Sequence, residues 1–403
     1  MPNQLITTQL VSNTALAMFA NNSPFVMTGS RIYQDDFNNS GYKIGDTLQV
    51  RRQNNFVIGD GATASPQGII ETVENITVAH QYNALIAYTI KDLSLRIGDF
   101  SRDFIQPAVQ NIISKMEGDI SSAAELELNF YVGTPGTPIN SFGSVDIAGV
   151  KMLEQGVNIS SDAYLAMTVR DGSTLKQALL NNFTPVFNEE IVRESAIGHL
   201  SYFDIFQSQN IKRHVAGAGP TLYSSDTLLV NGAVSSGNTI VMDGATHSIT
   251  NYFLPGDVFS IEGVNSVNPL SHQSTGQDMQ FVVTAAASSD GSGNLTVQVN
   301  PTIISDPTSP NANVSNPIPN NAPVSMNASY NVNVAYPSRG LDIVCPPLYK
   351  LQVPYSSVAI DPETGLSLSI TQTGDIFNFQ NLMRIDLLCG FKWHAQYCVK
   401  VLS

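Results

Sequence analysis

The side chains in this sequence that could carry chemistry are few, and their spacing argues against each familiar reaction. The six histidines, His80, His199, His214, His247, His272 and His394, show neither His-x-x-x-His nor Glu-x-x-His spacing, so no helical face offers a zinc site. Gly-x-Ser-x-Gly is absent, which removes the sharp elbow that exposes a serine nucleophile. Neither a Gly-x-Gly-x-x-Gly nor a Walker A run is present to cradle a phosphate. The nearest metal-like string, Asp36-x-Asn38-x-Ser40-Gly41, copies the first positions of a calcium loop, but Thr47 stands where the bidentate glutamate belongs. It reads as a polar turn. Glu189 and Glu190 are adjacent, so on a helix they diverge and cannot face each other as an acid–base pair; they read as a solvated helix start. Cys345, Cys389 and Cys398 are odd in number and lack CxxC spacing, which is the pattern of free thiols in a reducing compartment. The expectation is no catalytic residue, no metal and no cofactor: a binding or building protein rather than an enzyme.

Composition points the same way. Of 403 residues only 13% are charged, about half the usual load, while 42% are hydrophobic and the mean hydropathy is near zero. The polar share is carried by uncharged Asn, Ser, Thr and Gln. That excludes disorder, which needs few apolar residues, and a net charge of −14 excludes a strongly basic nucleic-acid binder. The first twenty residues lack the basic and continuous apolar regions of a signal peptide, and no apolar run approaches about 18 residues, so neither export by that route nor a membrane span is expected.

The positions of the charges divide the chain. Residues 214–338 contain no Lys or Arg but seven acids, from Asp226 to Asp306, so this 125-residue stretch reads as an inserted domain. Its texture is β. Met279, Phe281 and Val283 alternate, Asp290-Gly291 turns the chain, and Leu295, Val297 and Val299 alternate again, predicting a hairpin. Pro255-Gly256-Asp257 separates two further strands, near Ile240–Met242 and Val258–Ile261. The Pro/Asn-rich piece 301–323 reads as an irregular loop, unable to continue a central strand.

Ahead of the insertion, Thr47–Ile58 and Val73–Ile90 read as the arms of a long hairpin, joined by a tip of small turn residues from Gly59 to Gly68. Phe104, Ala108, Ile112, Met116, Ile120 and Ala124 then recur at i+4, predicting an amphipathic helix from Pro107 to Phe130 that Gly133-Thr134-Pro135-Gly136 ends. Shorter helices are expected at Ser173–Phe183 and Thr184–Arg193, and strands from Leu341 to Leu402. Trp393, with Phe391 and Tyr397, reads as core. Arg51-Arg52 at the hairpin base is either a solvated pair or an ion-pair partner for a neighbouring subunit, since a projecting hairpin has no core of its own.

Taken in order, these stretches resemble the major capsid (coat) proteins of tailed bacteriophages with the HK97 fold, in the subgroup typified by the P22 coat protein. Thr47–Asp92 followed by DLSLRIGDFSRDFIQPAVQNIISKMEGDI is similar to that family's extended loop and spine helix. AYLAMTVRDGSTLKQALL (Ala163–Leu180) and FDIFQSQNIKRHVAGAG (Phe203–Gly219) resemble its core. SSGNTIVMDGA, LPGDVFSIEGV and MQFVVTAAASSDGSGNLTVQVNPTI are similar to its inserted β-barrel, and SITQTGDIFNFQNLMRIDLLCGFKWH (Ser369–His394) to its C-terminal strands.

The resemblance implies an α+β, HK97-like capsid fold. Its parts are an N-terminal arm (1–46), an extended β-hairpin with flanking strands (47–92), a spine helix with the first part of the peripheral and axial domains (93–219), an inserted β-barrel (220–338) and the returning core (339–403). It implies a subunit that self-assembles through hexamers and pentamers into an icosahedral head, with a scaffolding protein and a portal protein as partners and double-stranded DNA enclosed without tight binding. Localisation would be the virion, after assembly in the host bacterial cytoplasm. The subunit contacts are then expected at Arg51, Arg52 and the tip residues Gly59, Asp60, Gly61, Ala62, Thr63, Ala64, Ser65, Pro66, Gln67 and Gly68. Three other classes compete. An encapsulin-like compartment shares the shell fold but would lack the insertion, a β-rich surface or adhesion protein would need an export signal, and an enzyme would need a convergent polar site.

Overall fold

The computed structural model describes residues 8–33, 45, 47–51, 54–58, 73–88, 101–159, 162–180, 197–348, 355–360, 366–375 and 380–403. In chain order the elements begin with helices α1 (Thr8–Asn22) and α2 (Pro24–Thr28) and strands β1 (Thr47–Arg51), β2 (Val73–Thr77) and β3 (His80–Tyr88). A wide π-type turn, Ser101–Ile105, leads into the long helix α3 (Gln106–Glu127), then β4 (Tyr131–Gly133), α4 (Phe142–Glu154), β5 (Ala163–Met167) and α5 (Val169–Leu180). Next come β6 (His199–Leu200), β7 (Phe203–Gln207), β8 (Arg213–His214) and α6 (Ala218–Leu222). The insertion supplies β9 (Leu229–Val230), β10 (Ser236–Asp243), β11 (Val258–Val267), β12 (Ser274–Val283), β13 (Leu295–Ile304) and β14 (Val324–Met326). The chain returns with β15 (Tyr330–Pro337), β16 (Leu341–Val344), β17 (Tyr355–Ile360), β18 (Ser367–Asp375), β19 (Gln380–Trp393) and β20 (Val399–Leu402). The expected α+β mixture is present.

Two compact units result. The first draws on Met1–Val50, Glu74–Ile120 and Leu341–Lys392, the second on Arg51–Val73, Ser121–Gly340 and Trp393–Ser403. In the first, β19 is the backbone of a five-stranded sheet ordered β16-β19-β18-β17, with β3 also paired to β19 from Asn381↔Tyr88 to Cys389↔His80. Helix α1 packs across β17 and β18, burying Ala15, Leu16 and Phe19, and Ser12 Oγ meets Ser357 Oγ at 2.8 Å. The region expected to be an arm therefore contains two helices.

The second arm of the expected hairpin is divided. β2 pairs with β1, whereas β3 leaves for β19, and the break at Val78–Ala79 coincides with a close backbone crossing. A Cβ at Gly390 would lie 2.7 Å from the Thr77 carbonyl oxygen, so only glycine lets the two strands approach there. Alternation predicts strands but not partners, which is why the reading from sequence kept the arm whole.

In the second unit, seven strands form a mixed sheet ordered β4-β20-β15-β5-β7-β6, with β8 also on β15. Its core includes Val145, Ala148 and Met152 from α4, Leu175 and Leu179 from α5, and Leu165, Met167, Ala335, Val399 and Val401 from the strands. Helix α4, absent from the sequence reading, is capped at both ends. Ser141 Oγ accepts the Ser144 N–H at 3.1 Å, and at the far end Gly156 (φ +75°) donates to Leu153 O at 3.0 Å and Val157 to Met152 O at 3.0 Å. The long helix ends at Glu127 rather than Phe130, because Tyr131–Gly133 pairs in parallel with β20. The expected Ser173–Phe183 helix is α5, which starts four residues earlier behind its Thr168 cap, whose Oγ1 accepts the Asp171 N–H at 3.2 Å. The calcium-like string before Thr47 and the Thr184–Arg193 helix lie outside the described residues.

The inserted sheet runs β14-β11-β12-β13-β10-β9, and its two edges meet through the Leu229↔Pro323 bridge and a Val230 N–H to Ala322 O bond of 3.0 Å. The sheet is thus nearly closed into a barrel. Its pairing differs from the expected hairpin. β12 and β13 share only Val282↔Asn300 and Val283↔Val299, since β13 runs mainly with β10. The strand also continues through Pro301 to Ile304, because the ladder is irregular between Gly237 and Thr239 and demands no N–H from the proline there. The rest of the Pro/Asn-rich segment is pinned by bridges Ser266↔Val314 and Val234↔Ile318, with Val314 and Ile318 buried.

β15 lies inside the 220–338 boundary yet belongs to the core sheet, pairing with β5, β8 and β20. Phe281, fully buried and 5.7 Å from the Phe259 ring, is central to the barrel. Phe281→Ala is expected to lower unfolding stability by about 3–5 kcal/mol in urea titration; a loss under about 1 kcal/mol would show that the barrel core is not packed as described.

Candidate functional site

Among the described residues of the second unit, a dense group of titratable side chains lies where the inserted barrel joins the core sheet. Glu125 comes from the last turns of α3, His214 from β8, Asp257 from the turn before β11, Tyr330 from β15 and Lys400 from β20. All five are buried. His214 sits between two carboxylates, with Nδ1 2.6 Å from Glu125 Oε1 and Nε2 2.8 Å from Asp257 Oδ1. A neutral imidazole has one lone pair, which would face a carboxylate; only the imidazolium donates from both nitrogens. Burial works against that charge, but the hydrogen bonds to Asp257 and Glu125 outweigh it and hold the histidine pKa above its usual value.

The carboxylates have further partners. Asp257 accepts the Leu254 N–H at 2.6 Å and the Gly217 N–H at 3.1 Å, and Lys212 forms an ion pair with Glu125. Burial would raise the Glu125 pKa, yet the hydrogen bonds from His214 and Lys212 prevail and lower it. Two carboxylates are then balanced by His214 and Lys212. Lys400 is a fifth group with no charge left to neutralise. Its Nζ donates to Glu125 O at 3.0 Å and to Tyr330 Oη at 3.1 Å, and burial pushes its pKa down to about 7 despite the attraction of Glu125 and Asp257. Tyr330 in turn donates to Gly256 O at 2.8 Å.

A second network locks the same sheet. Asp171 Oδ2 accepts from Thr168 Oγ1 (2.6 Å), Ser403 Oγ (2.7 Å) and Asn333 Nδ2 (3.1 Å).

This geometry suits holding, not turnover. Both nitrogens of His214 are committed, so the ring has neither a lone pair for a metal nor a free edge for proton transfer. Among the described residues no group of His, Cys, Asp and Glu could hold a metal ion, and no helix is long and apolar enough to cross a membrane. The three cysteines are buried and none forms a disulfide. Trp393 is core as expected, edge-on to Tyr336 at 5.1 Å. Arg51 closes β1, and Arg52 and the tip from Gly59 to Gly68 lie outside the described residues. Sequence reasoning missed the cluster because its members are far apart in the chain, 89 residues from Glu125 to His214 and 43 from His214 to Asp257.

Two stability effects are expected. Asp257→Asn, which leaves a buried imidazolium half-paired, should cost about 3–5 kcal/mol in denaturant unfolding. Lys400 loses its proton near pH 7 when folded but only near 10.5 when unfolded, so the unfolded chain binds more protons between those values and the lysine's contribution to stability rises with pH there. His214, raised above 6.5, acts oppositely: its contribution is complete below 6.5 and fades as pH climbs through the folded pKa. Lys400→Met removes the rising part alone. Its melting temperature relative to the unsubstituted chain should therefore fall steadily from pH 7 to 10; a constant difference would mean that Lys400 is not proton-linked to folding.

Comparison with solved structures finds phage capsids at low identity. Mycobacterium phage Che8 is 10% identical over 94% of this chain and 91% of that chain, with a TM-score of 0.46. The bacteriophage PhiM1 mature capsid is 10% identical over 94% and 87%, at 0.43, and the capsid of Ralstonia phage GP4 is 6% identical over 90% and 84%, at 0.44. No curated protein matches the chain. A family model does: P22 coat protein, gene protein 5, over residues 8–396.

Proposed function

We propose that this chain, which belongs to the P22 coat protein family and is a major capsid protein of a phage shell, assembles through hexamers and pentamers into an icosahedral head. The observation that carries this is the family match across residues 8–396, nearly the whole chain. The protein is a structural subunit and not an enzyme. An encapsulin-like compartment is not favoured, because the matching family is a phage coat family.

Physical reasoning supports the finer picture. A shell subunit meets several copies of itself through heterologous surfaces, and each unpaired charge buried in such a contact costs several kcal/mol, whereas amides and hydroxyls find partners. A chain with 13% charged residues suits that use. Its partners would include a scaffolding protein and a portal protein, with assembly in the host bacterial cytoplasm and residence in the virion. The enclosed genome would be double-stranded DNA, which a chain of net charge −14 holds loosely and so lets slide. Contacts at Arg51, Arg52 and the Gly59–Gly68 tip remain part of the proposal, since a projecting hairpin gains most of its burial from a neighbour.

Negative-stain microscopy of the expressed chain, with and without its scaffolding protein, should show regular closed particles. Deleting Ala62–Gln67 should leave soluble subunits that no longer close; normal shells from that deletion would remove the tip from the assembly contacts. Filter binding to duplex DNA at low salt should be weak, and submicromolar affinity would contradict loose enclosure.

A further inference from the structure

Helix α4 is apolar on two faces. Val145, Ala148 and Met152 are buried in the core of the second unit. On the opposite side, Phe142 (44% exposed), Ile147 (49%), Val150 (40%) and Leu153 (43%) form an outward row with helical spacing. A surface helix normally keeps that side polar. Here the only lysine of the helix, Lys151, is buried over the Phe130 ring at 5.7 Å, and Asp146 accepts a 2.6 Å hydrogen bond from Ser201.

The apolar surface extends beyond the helix. Tyr202, 37% exposed, lies against Gly149, where a Cβ would come within 2.2 Å of its ring. Leu270, 60% exposed, lies beside Gly156, at the C-terminal end of α4. Six large side chains thus make one patch of the kind that marks an interaction site.

We propose that this patch, the outer face of α4 with Tyr202 and Leu270, is a contact by which one copy of the chain holds the next. The proposal rests on the shell reading and names a surface for it. A second copy is the occupant because a coat subunit is surrounded by copies of itself, and because each copy carries −14 and repels its neighbours. A contact between such copies is favoured where apolar burial outweighs that repulsion. The outward row supplies the apolar area, and the two acids on the same side of the helix, Asp146, which accepts from Ser201, and Glu154, are only partly exposed.

Hydroxyl-radical footprinting of the unsubstituted full chain, as free subunits and as assembled shells, tests this directly. Oxidation of Phe142, Leu153 and Tyr202 should fall several-fold on assembly. Unchanged oxidation of all three would overturn the contact while leaving the shell reading intact. As a second test, the double variant Ile147→Asp with Val150→Asp should keep the circular dichroism of the free subunit and reduce the assembled fraction by about tenfold or more. Full assembly of that folded variant would also overturn the proposal. A chain that never assembles under any condition sinks the shell reading itself, and the contact with it.

Discussion

The ring of His214 can bond to carboxylates at both nitrogens only while it is protonated, and the second unit is built around keeping it so. One acid comes from the long helix and the other from the insertion. Around them, Lys212, Tyr330 and Lys400 bring in the approach to β8 and the strands β15 and β20. The net stabilisation from such a buried group is modest, because desolvation offsets most of the attraction. Removing one member is far more costly, since it strands a charge away from water. The cluster therefore acts as a register mark: it fits together in one arrangement of helix, barrel and sheet, and a misplaced strand leaves an unpaired charge.

Much of the fold was legible in the sequence because it follows local rules. The apolar row of α3, the alternation of Phe281 with its neighbours and the strands of the C-terminal region all appear where expected. Partner choice was not legible. The pairing of β13 with β10, and the departure of β3 to β19, depend on contacts between distant segments that alternation does not encode. Helix α4 went unread although Val145, Ala148 and Met152 recur at helical spacing, because apolar residues on its outer side widen the stripe and its end signals, Ser141 and Gly156, are small. The buried ionic cluster was invisible because, Lys212 and His214 apart, its charged groups come from segments distant in the chain.

The basic-free stretch is instructive because it lacks cations for two different reasons. Through β9–β14 it coincides with the inserted barrel. Across β15 it continues because that strand lies mid-sheet, where Val332, Val334, Ala335 and Tyr336 are buried and a lysine would need a partner of its own. Reading the absence of charge as a domain boundary therefore overshot by the length of one buried strand. Lys400, opposite Val334 on the adjacent strand, shows what an exception requires: a carbonyl, a phenol and a depressed pKa.

The insertion departs after β8 and returns at β15, and these two strands are hydrogen-bonded neighbours, His214 opposite Tyr330 and Arg213 opposite Asn331. Its stem is thus one ladder rung wide. In evolutionary terms this is a socket: its base is closed by the sheet, so the cassette it carries can change in length at small entropic cost without opening the strands. The socket has one chemical condition. His214 belongs to the recipient and Asp257 to the cassette, so an incoming segment without an acid at that place strands the imidazolium. Histidine and aspartate should then be inherited together or lost together, a linkage set by a proton and not by any contact on the outside of the particle.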